Sequence, residues 1–443
     1  MAASSVEIPL LAAVLPAEAD GIEALEEQAR MELEAAGARP GEERAGRAQL
    51  GSWRSLGDRP SVSIAFVPNR RISIAAPRLL RALDILRTLF EVPFARRRLA
   101  RRGFQHVKTL YWRPSRTIEP RGLGPALRSV PTRAYVIGSA VESYPTVLDR
   151  SLALASRALG VELHLEKLVS ADSLLAICDH GVLRLSLRPA KRQRLAFAGL
   201  EQLARRTTEQ LQKLVPQALA EGECGPYLWS LEKKIGGTSA RAPLSPALTE
   251  RASEILFLLA ETGEQTRAPT GLEREAGLLG AAVDRDLGLR LEEAVHSLED
   301  TLAPLPRVFG HGDYWAGNLL VEDDTIRGVV DWDGWNASEL PLIDFLHLHL
   351  LYRRSLPWRK WGPALLSQLL PFARAGGDER TRAYCRKLAI EPAPELLEKL
   401  VWAYWIRRAV RQLEHYEWRN DKGCIDGAVR EIAAAFLESA ARQ

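Results

Sequence analysis

The chain has 443 residues, 46% of them apolar and 26% charged, with a formal net charge of +4. That length favours two domains, and the balance excludes disordered and fibrous classes and gives no global pull toward nucleic acid. Four isolated cysteines (Cys178, Cys224, Cys385, Cys424), with no C-x-x-C pair and no histidine at ligand spacing, argue against a disulfide framework or a structural zinc site and point to a reducing cytoplasm.

No stretch approaches the ~20 uninterrupted apolar residues of a membrane span. The apolar stretch Ile8 to Leu15 is short, interrupted by Pro9 and preceded by Glu7, so it does not read as a signal peptide. A helical pattern covers Ile22 to Ala36. Ser61 to Pro68 (SVSIAFVP) predicts a buried strand, and Pro77 to Phe90 a helix opened by proline. The basic run Arg96, Arg97, Arg98, Arg101 and Arg102 reads first as a solvated helix face, and second as a surface for phosphate or anionic lipid. Val107 to Trp112 and Arg133 to Gly138 are strand candidates, with a Pro/Gly-rich loop (RPSRTIEPRGLGP) between them.

A helical connector between Gly138 and Val161 suggests a domain boundary near residue 150. Beyond it, strands are expected at Val161 to Leu168, Leu174 to Cys178 and Val182 to Leu187, then a long helix from Lys191 to Leu214 and a strand at Tyr227 to Leu231. Everything after Leu248 reads as helical except Val308 to Asp333.

The chemistry concentrates in Val308 to Leu346 (VFGHGDYWAGNLLVEDDTIRGVVDWDGWNASELPLIDFL). His311-Gly312-Asp313 is followed five residues later by Asn318. Leu319 to Val321 and Ile326 to Val330 predict a small hairpin that ends at Asp331. Two acids and an amide thereby flank one hairpin. Phosphoryl transfer needs such a set, because Mg²⁺ takes oxygen ligands and a carboxylate must orient the attacking hydroxyl. Asp333 reads as exposed or supporting rather than as a ligand. His347 and His349, and Trp402 with Trp405 three residues on, read as core or helix-face residues.

H-G-D-x4-N followed by a strand ending in D-W-D resembles the motif pair of aminoglycoside phosphotransferases, choline kinases and fructosamine kinases, relatives of the protein kinases. The resemblance implies an α+β bilobal kinase-like domain over 151–443, with a lobe of about 151–237 and a helical lobe of about 238–443. It implies Asp313 as catalytic base, Asn318 and Asp331 as metal ligands, Asp344 as the acid bracing the loop, and a structural His311. The implied cofactors are ATP and Mg²⁺, and the implied partner is a small sugar-like or amino-alcohol hydroxyl acceptor, with no nucleic acid.

Further expectations follow from the resemblance. Arg184 stands where the family has the lysine that holds the α/β-phosphates, with Glu201 on the next helix as its partner. The turn Ser170-Ala171-Asp172-Ser173 occupies the place of the phosphate-covering loop and has no glycine. Leu231-Glu232-Lys233-Lys234-Ile235-Gly236-Gly237 resembles the hinge that receives adenine. Arg184 and the glycine-free turn also fit an alternative, a pseudokinase or nucleotide-sensing module in a biosynthetic pathway. Residues 61–140 resemble the C-terminal half of a class I methyltransferase, which implies an α/β domain. No G-x-G turn precedes Ser61 to hold a methyl donor.

Overall fold

The structure, a computed structural model, describes residues 49–53, 62–67, 92–101, 103–112, 133–139, 145–170, 173–187, 191–206, 208–225, 227–263, 269–351, 361–413 and 425–441. The expected helices at 22–36 and 77–90, the Pro/Gly-rich loop, residues 171 and 172 of the glycine-free turn, Arg102 and Cys424 lie outside these residues. The chain divides into two compact units, Met1–Ala190 with Leu219–Lys234, and Lys191–Ala218 with Ile235–Gln443.

The described residues of the first unit form two sheets. One has the order β1-β2-β4-β3 and comprises β1 (Gln49–Trp53), β2 (Val62–Val67), β3 (His106–Trp112) and β4 (Arg133–Ser139), with every pairing antiparallel. Three of these strands fall where the apolar runs predicted; β1 was not foreseen. A helix covers 92–101, with Arg96, Arg97, Arg98 and Arg101 exposed and Val92, Ala95 and Leu99 buried, as expected for a solvated basic face.

The second sheet has the order β5-β6-β7-β9-β8. Its strands are β5 (Leu165–Ser170), β6 (Leu174–Cys178), β7 (Gly181–Leu187), β8 (Ala218–Cys224) and β9 (Tyr227–Lys233). The helix Val147–Leu159 precedes it, opened by a capping box between Thr146 and Asp149 and closed by Gly160 at φ 73°. β5 starts four residues later than its apolar run. Residues Val161 to His164 are drawn off the ladder: Val161 N–H donates to Ser156 O, Leu163 N–H to Ser156 Oγ, and His164 N–H to Asp179 Oδ1. β8 escaped the reading because its sequence, ALAEGEC, has little apolar signal and it forms a sheet edge. Its Gly222 leaves room for the Trp229 ring, which a Cβ would strike.

The second unit is mainly helical. The expected helix from Lys191 ends at Arg206, and a separate turn, Glu209–Gln212, follows an extended Thr208. Helices Pro246–Glu261, Leu272–Gly280, Arg285–Leu302, Ile343–Leu351 and Pro394–Leu413 bury their apolar faces in one core. Trp402 and Trp405 meet edge to face at 6.4 Å and both pack on Phe436, so they are core, as the sequence implied.

The exception to helix extends further than expected. β11 (Val308–Gly310) pairs with β14 (Asn336–Glu339), a strand without apolar alternation that the sequence concealed. β10 (Thr238–Ser239), β12 (Leu319–Glu322) and β13 (Thr325–Val329) form a three-stranded sheet. Asp323 and Asp324 turn the hairpin with φ of 49° and 54°, the left-handed pair a two-residue antiparallel turn requires.

Candidate active site

The His311–Asn318 loop leaves β11 and is held from below by Asp344. The Asp344 carboxylate accepts the backbone N–H of His311 at 2.5 Å and of Gly312 at 2.9 Å. Burial pushes this carboxyl up to about 7, with nearby Glu339 adding to the rise and the two backbone donors opposing it. Gly312 adopts φ 78°, and a Cβ there would collide with the Gly334 carbonyl, so only glycine makes this turn.

His311 is fully buried. Its Nδ1 accepts the Asp313 N–H at 3.2 Å, which leaves its Nε2–H to donate to Val330 O at 3.0 Å. Burial lowers its pKa to about 4. The ring is a neutral strut that joins the loop to the end of the hairpin. A second strut is Asn318, whose carbonyl accepts the Val330 N–H at 2.9 Å.

Asp313 and Asn318 lie together. Asn318 Nδ2 donates to the Asp313 carbonyl at 2.8 Å and to Asp313 Oδ2 at 3.2 Å. The same carboxylate receives Arg408 Nη1 at 2.7 Å and His347 Nε2 at 3.2 Å, both on Oδ1. Burial alone would raise the Asp313 pKa, but Arg408, the His347 hydrogen bond and Arg411 hold it well below the usual carboxylate range.

Asp331 follows β13 with φ 68°, a left-handed conformation rare for a residue with a side chain and characteristic of sites where geometry is enforced. Asp333 accepts from Arg411 Nη2 at 2.9 Å and is 12% exposed, so of the two alternatives, exposed or supporting, it takes the supporting one; the strand has already ended at Val329. Arg411 Nη1 also donates to Gly312 O at 2.6 Å. Burial would lower the Arg411 pKa, yet Asp313, Asp333, Asp331 and Asp344 together raise it. One guanidinium thereby balances the acids of both motifs.

An oxygen site for a cation fits this arrangement. Asn318 spends its Nδ2 on Asp313, which leaves its Oδ1 as the oxygen it would offer a cation, and Asp331 would offer a carboxylate. Among the described residues no group of three or more His, Cys, Asp or Glu is arranged to hold a metal. Mg²⁺ does not require one, since it is ordinarily held by one or two protein oxygens together with phosphates and water.

The sequence reading gives His347 as a core or helix-face residue, which its burial bears out, but not as a partner of Asp313, and it does not single out Arg408 or Arg411. His347 lies three residues after Asp344 on the Ile343–Leu351 helix, and that spacing places both on one face. Arg408 and Arg411 share a face of the Pro394–Leu413 helix in the same way. The spacing to Asp344 was available as a signal for His347, whereas nothing near the arginines marked them.

Of the residues expected on the nucleotide side, Arg184 and Glu232 belong to the first unit and Glu201 to the second. On β7, Arg184 Nη1 donates to Ser173 Oγ at 3.3 Å. Glu201, in the second unit, is about half exposed and lies 3.8 Å from Arg205 one turn on. Glu232 is buried in β9, opposite Val182 of β7. The ladder ends at Lys233, and Lys234 pairs with Glu166 at 2.6 Å. The chain passes into the second unit at Ile235.

Residues 174–386 match the family model described as the phosphotransferase enzyme family, a span that contains Asp313, Asn318, Asp331 and Asp344. The match marks the chain as an enzyme of the small-molecule kinase type. No curated protein matches it. Similar solved structures include a thermostable mutant of the aminoglycoside phosphotransferase APH(4)-Ia, 18% identical, with 66% of this chain and 100% of that one covered and a TM-score of 0.44. The gentamicin complex of APH(2")-IIa is 16% identical, covering 64% and 96%, with a TM-score of 0.45. The macrolide 2'-phosphotransferase MphH from Brachybacterium faecium is 20% identical, covering 65% and 98%, with a TM-score of 0.38. None of these matches supports the methyltransferase resemblance of residues 61–140. No helix among the described residues is long and apolar enough to cross a membrane.

Proposed function

We propose that the enzyme transfers the γ-phosphate of ATP to a hydroxyl of a small sugar-like or amino-alcohol metabolite. The observation that carries this reading is the coupling of Asp313 to Asn318 through Asn318 Nδ2, beside the strained Asp331.

The acceptor hydroxyl is oriented by Asp313. Oδ1 already takes Arg408 and His347, and Oδ2 takes Asn318, so the second acceptor position of Oδ2 is the one that receives the hydroxyl proton. As the acceptor oxygen bonds to the γ-phosphorus, the bond from that phosphorus to the β,γ-bridging oxygen breaks and its electrons leave on ADP. The acceptor proton passes late to Asp313, a timing that suits a carboxylate of low pKa whose main task is alignment. Mg²⁺, held by Asn318 and Asp331, would neutralise phosphate charge. Arg184 is proposed to hold the α/β-phosphates, and the segment from Glu232 to Gly237 to receive adenine through its backbone.

The test is ATP consumption by the full chain with Mg²⁺ against a library of sugars, amino alcohols and nucleoside-like alcohols. Acceptor-dependent ADP release that disappears in Asp313→Asn supports the reading. ATP binding with no acceptor-dependent turnover anywhere in the library would overturn it.

A further inference from the structure

Asp313 does not stand alone against the helical core. His347 is 2% exposed, Tyr404 1% and Trp361 3%. They form a continuous polar line inside otherwise apolar packing: Trp361 Nε1 to Tyr404 Oη at 3.1 Å, Tyr404 Oη to His347 Nδ1 at 2.7 Å, and His347 Nε2 to Asp313 Oδ1 at 3.2 Å. Four buried polar groups in series cost desolvation, so the line must satisfy itself.

The donor inventory fixes its direction. An indole N–H can only donate, so Tyr404 accepts from Trp361. The tyrosine proton then has His347 Nδ1 as its acceptor at 2.7 Å. Nδ1 is therefore unprotonated, and the neutral ring carries its hydrogen on Nε2, aimed at the Asp313 carboxylate. The opposite tautomer would set the Nε2 lone pair against a carboxylate oxygen and strand the tyrosine proton. An imidazolium is disfavoured by burial and by the adjacent Arg408, which together bring the ring to about 4.

We propose that His347 is a positioning residue for Asp313, held in its Nε2–H tautomer by the Trp361–Tyr404 relay so that the carboxylate is locked with Oδ2 toward the acceptor. The torsion of a carboxylate about its last bond is soft. Asn318 fixes one oxygen and His347 the other, and two opposed anchors define the plane. Arg408 supplies charge on a long side chain, whereas the buried ring supplies direction.

The inference rests on the reading of Asp313 as the acceptor-side base, and two measurements separate their failures. The first needs no turnover. ¹⁵N-histidine spectra of the full chain, with the His347 signals assigned by their loss in His347→Gln, should show a neutral ring protonated at Nε2. Asp313→Ala should move the Nε2–H resonance, and Tyr404→Phe should move Nδ1. A ring protonated at Nδ1, or one insensitive to both variants, overturns the relay even if the enzyme is an active kinase. The second is kinetic. His347→Leu should lower kcat by about 10- to 100-fold, the scale of lost alignment, with KM for ATP unchanged within about twofold. His347→Gln, whose amide N–H can reach the same oxygen, should recover most of kcat, and Tyr404→Phe should fall between them. Equal kcat in the Leu and Gln variants, or KM for ATP rising in step with the loss, would reduce His347 to a packing residue. Should no acceptor support turnover, the spectra alone decide the relay.

Discussion

Arg408 Nη1 lies 2.7 Å from Asp313 Oδ1, with both side chains more than four-fifths buried. A carboxylate so placed keeps its charge only because a guanidinium shares its enclosure, and each partner is costly without the other. Arg408→Leu should therefore destabilise the protein by about 3 kcal/mol, the lower end for breaking an enclosed pair, seen as a fall in Tm. Arg408→Leu combined with Asp313→Asn should regain much of that loss, since no lone charge remains. Additive losses in the double variant would mean that the two residues do not stabilise one another.

The two sides of the centre should separate kinetically. Asp313→Asn should cut kcat by roughly 10²-fold or more while ATP affinity stays near that of the parent, because the side chain addresses the acceptor. Asp331→Ala should abolish Mg²⁺-dependent ATP binding and Asn318→Ala should weaken it, each through loss of an oxygen ligand. Asp333→Ala should leave Mg²⁺ dependence in place and instead lower Tm, because it unpairs Arg411. ATP titrations at several Mg²⁺ concentrations distinguish these outcomes. Greater loss of Mg²⁺ dependence from Asp333→Ala than from Asp331→Ala would exchange the roles of the two acids.

How much of this centre the sequence carried depended on whether a residue's partner was local. Asp313, Asn318 and Asp331 stand within one short stretch, and the hairpin between them alternates in the way a strand pair must, so both chemistry and placement could be read. His347 lies 34 positions from the carboxylate it touches, and Arg408 lies further still, on a helix whose other polar residues gave no clue. Long-range side-chain partners leave no period in a sequence. The same limit hid β14 and β8, whose pairing is supplied by neighbours rather than by their own apolar pattern. Apolar runs such as those in β6 and β7 were read close to their ends because both faces or one whole face is buried there.

Arg184 gives a test on the nucleotide side. Its guanidinium reaches Ser173, the residue before β6 and the last of the turn expected to cover the phosphates. Arg184→Ala should raise the apparent Kd for ATP by about tenfold or more, the scale of one lost charge-assisted contact. Arg184→Lys should be tolerated, because the charge is kept, although the planar fork is not. Unchanged ATP binding in Arg184→Ala would transfer the phosphate role to another cation, with Lys191 the next to substitute.

The buried titratable groups around the loop predict how stability responds to pH. His311 and His347 are each lowered from 6.5 to about 4, first by burial, and Asp344 is raised from 3.8 to about 7, also first by burial. For the two imidazoles, stability is present above 6.5 and is lost as pH falls toward 4, because the unfolded chain takes up protons that the folded chain refuses. For Asp344 the sign is reversed: the folded chain keeps a proton that the unfolded chain has released, so stability present below 3.8 is lost as pH rises through 7. Between about pH 4.5 and 6 the unfolded state thus gains two protons against one, and stability should climb with pH at about 1.4 kcal/mol per unit from these groups. His347→Leu removes one of the two and should flatten the slope. Asp344→Asn removes the opposing acid and should steepen it. That variant should also lower stability at every pH by about 1–3 kcal/mol, since its amide must turn one N–H toward a backbone N–H of His311 or Gly312. Urea unfolding at half-unit pH steps measures both effects. A slope that His347→Leu leaves unchanged would mean that this imidazole titrates alike in the folded and unfolded chain and is not held neutral beside Asp313.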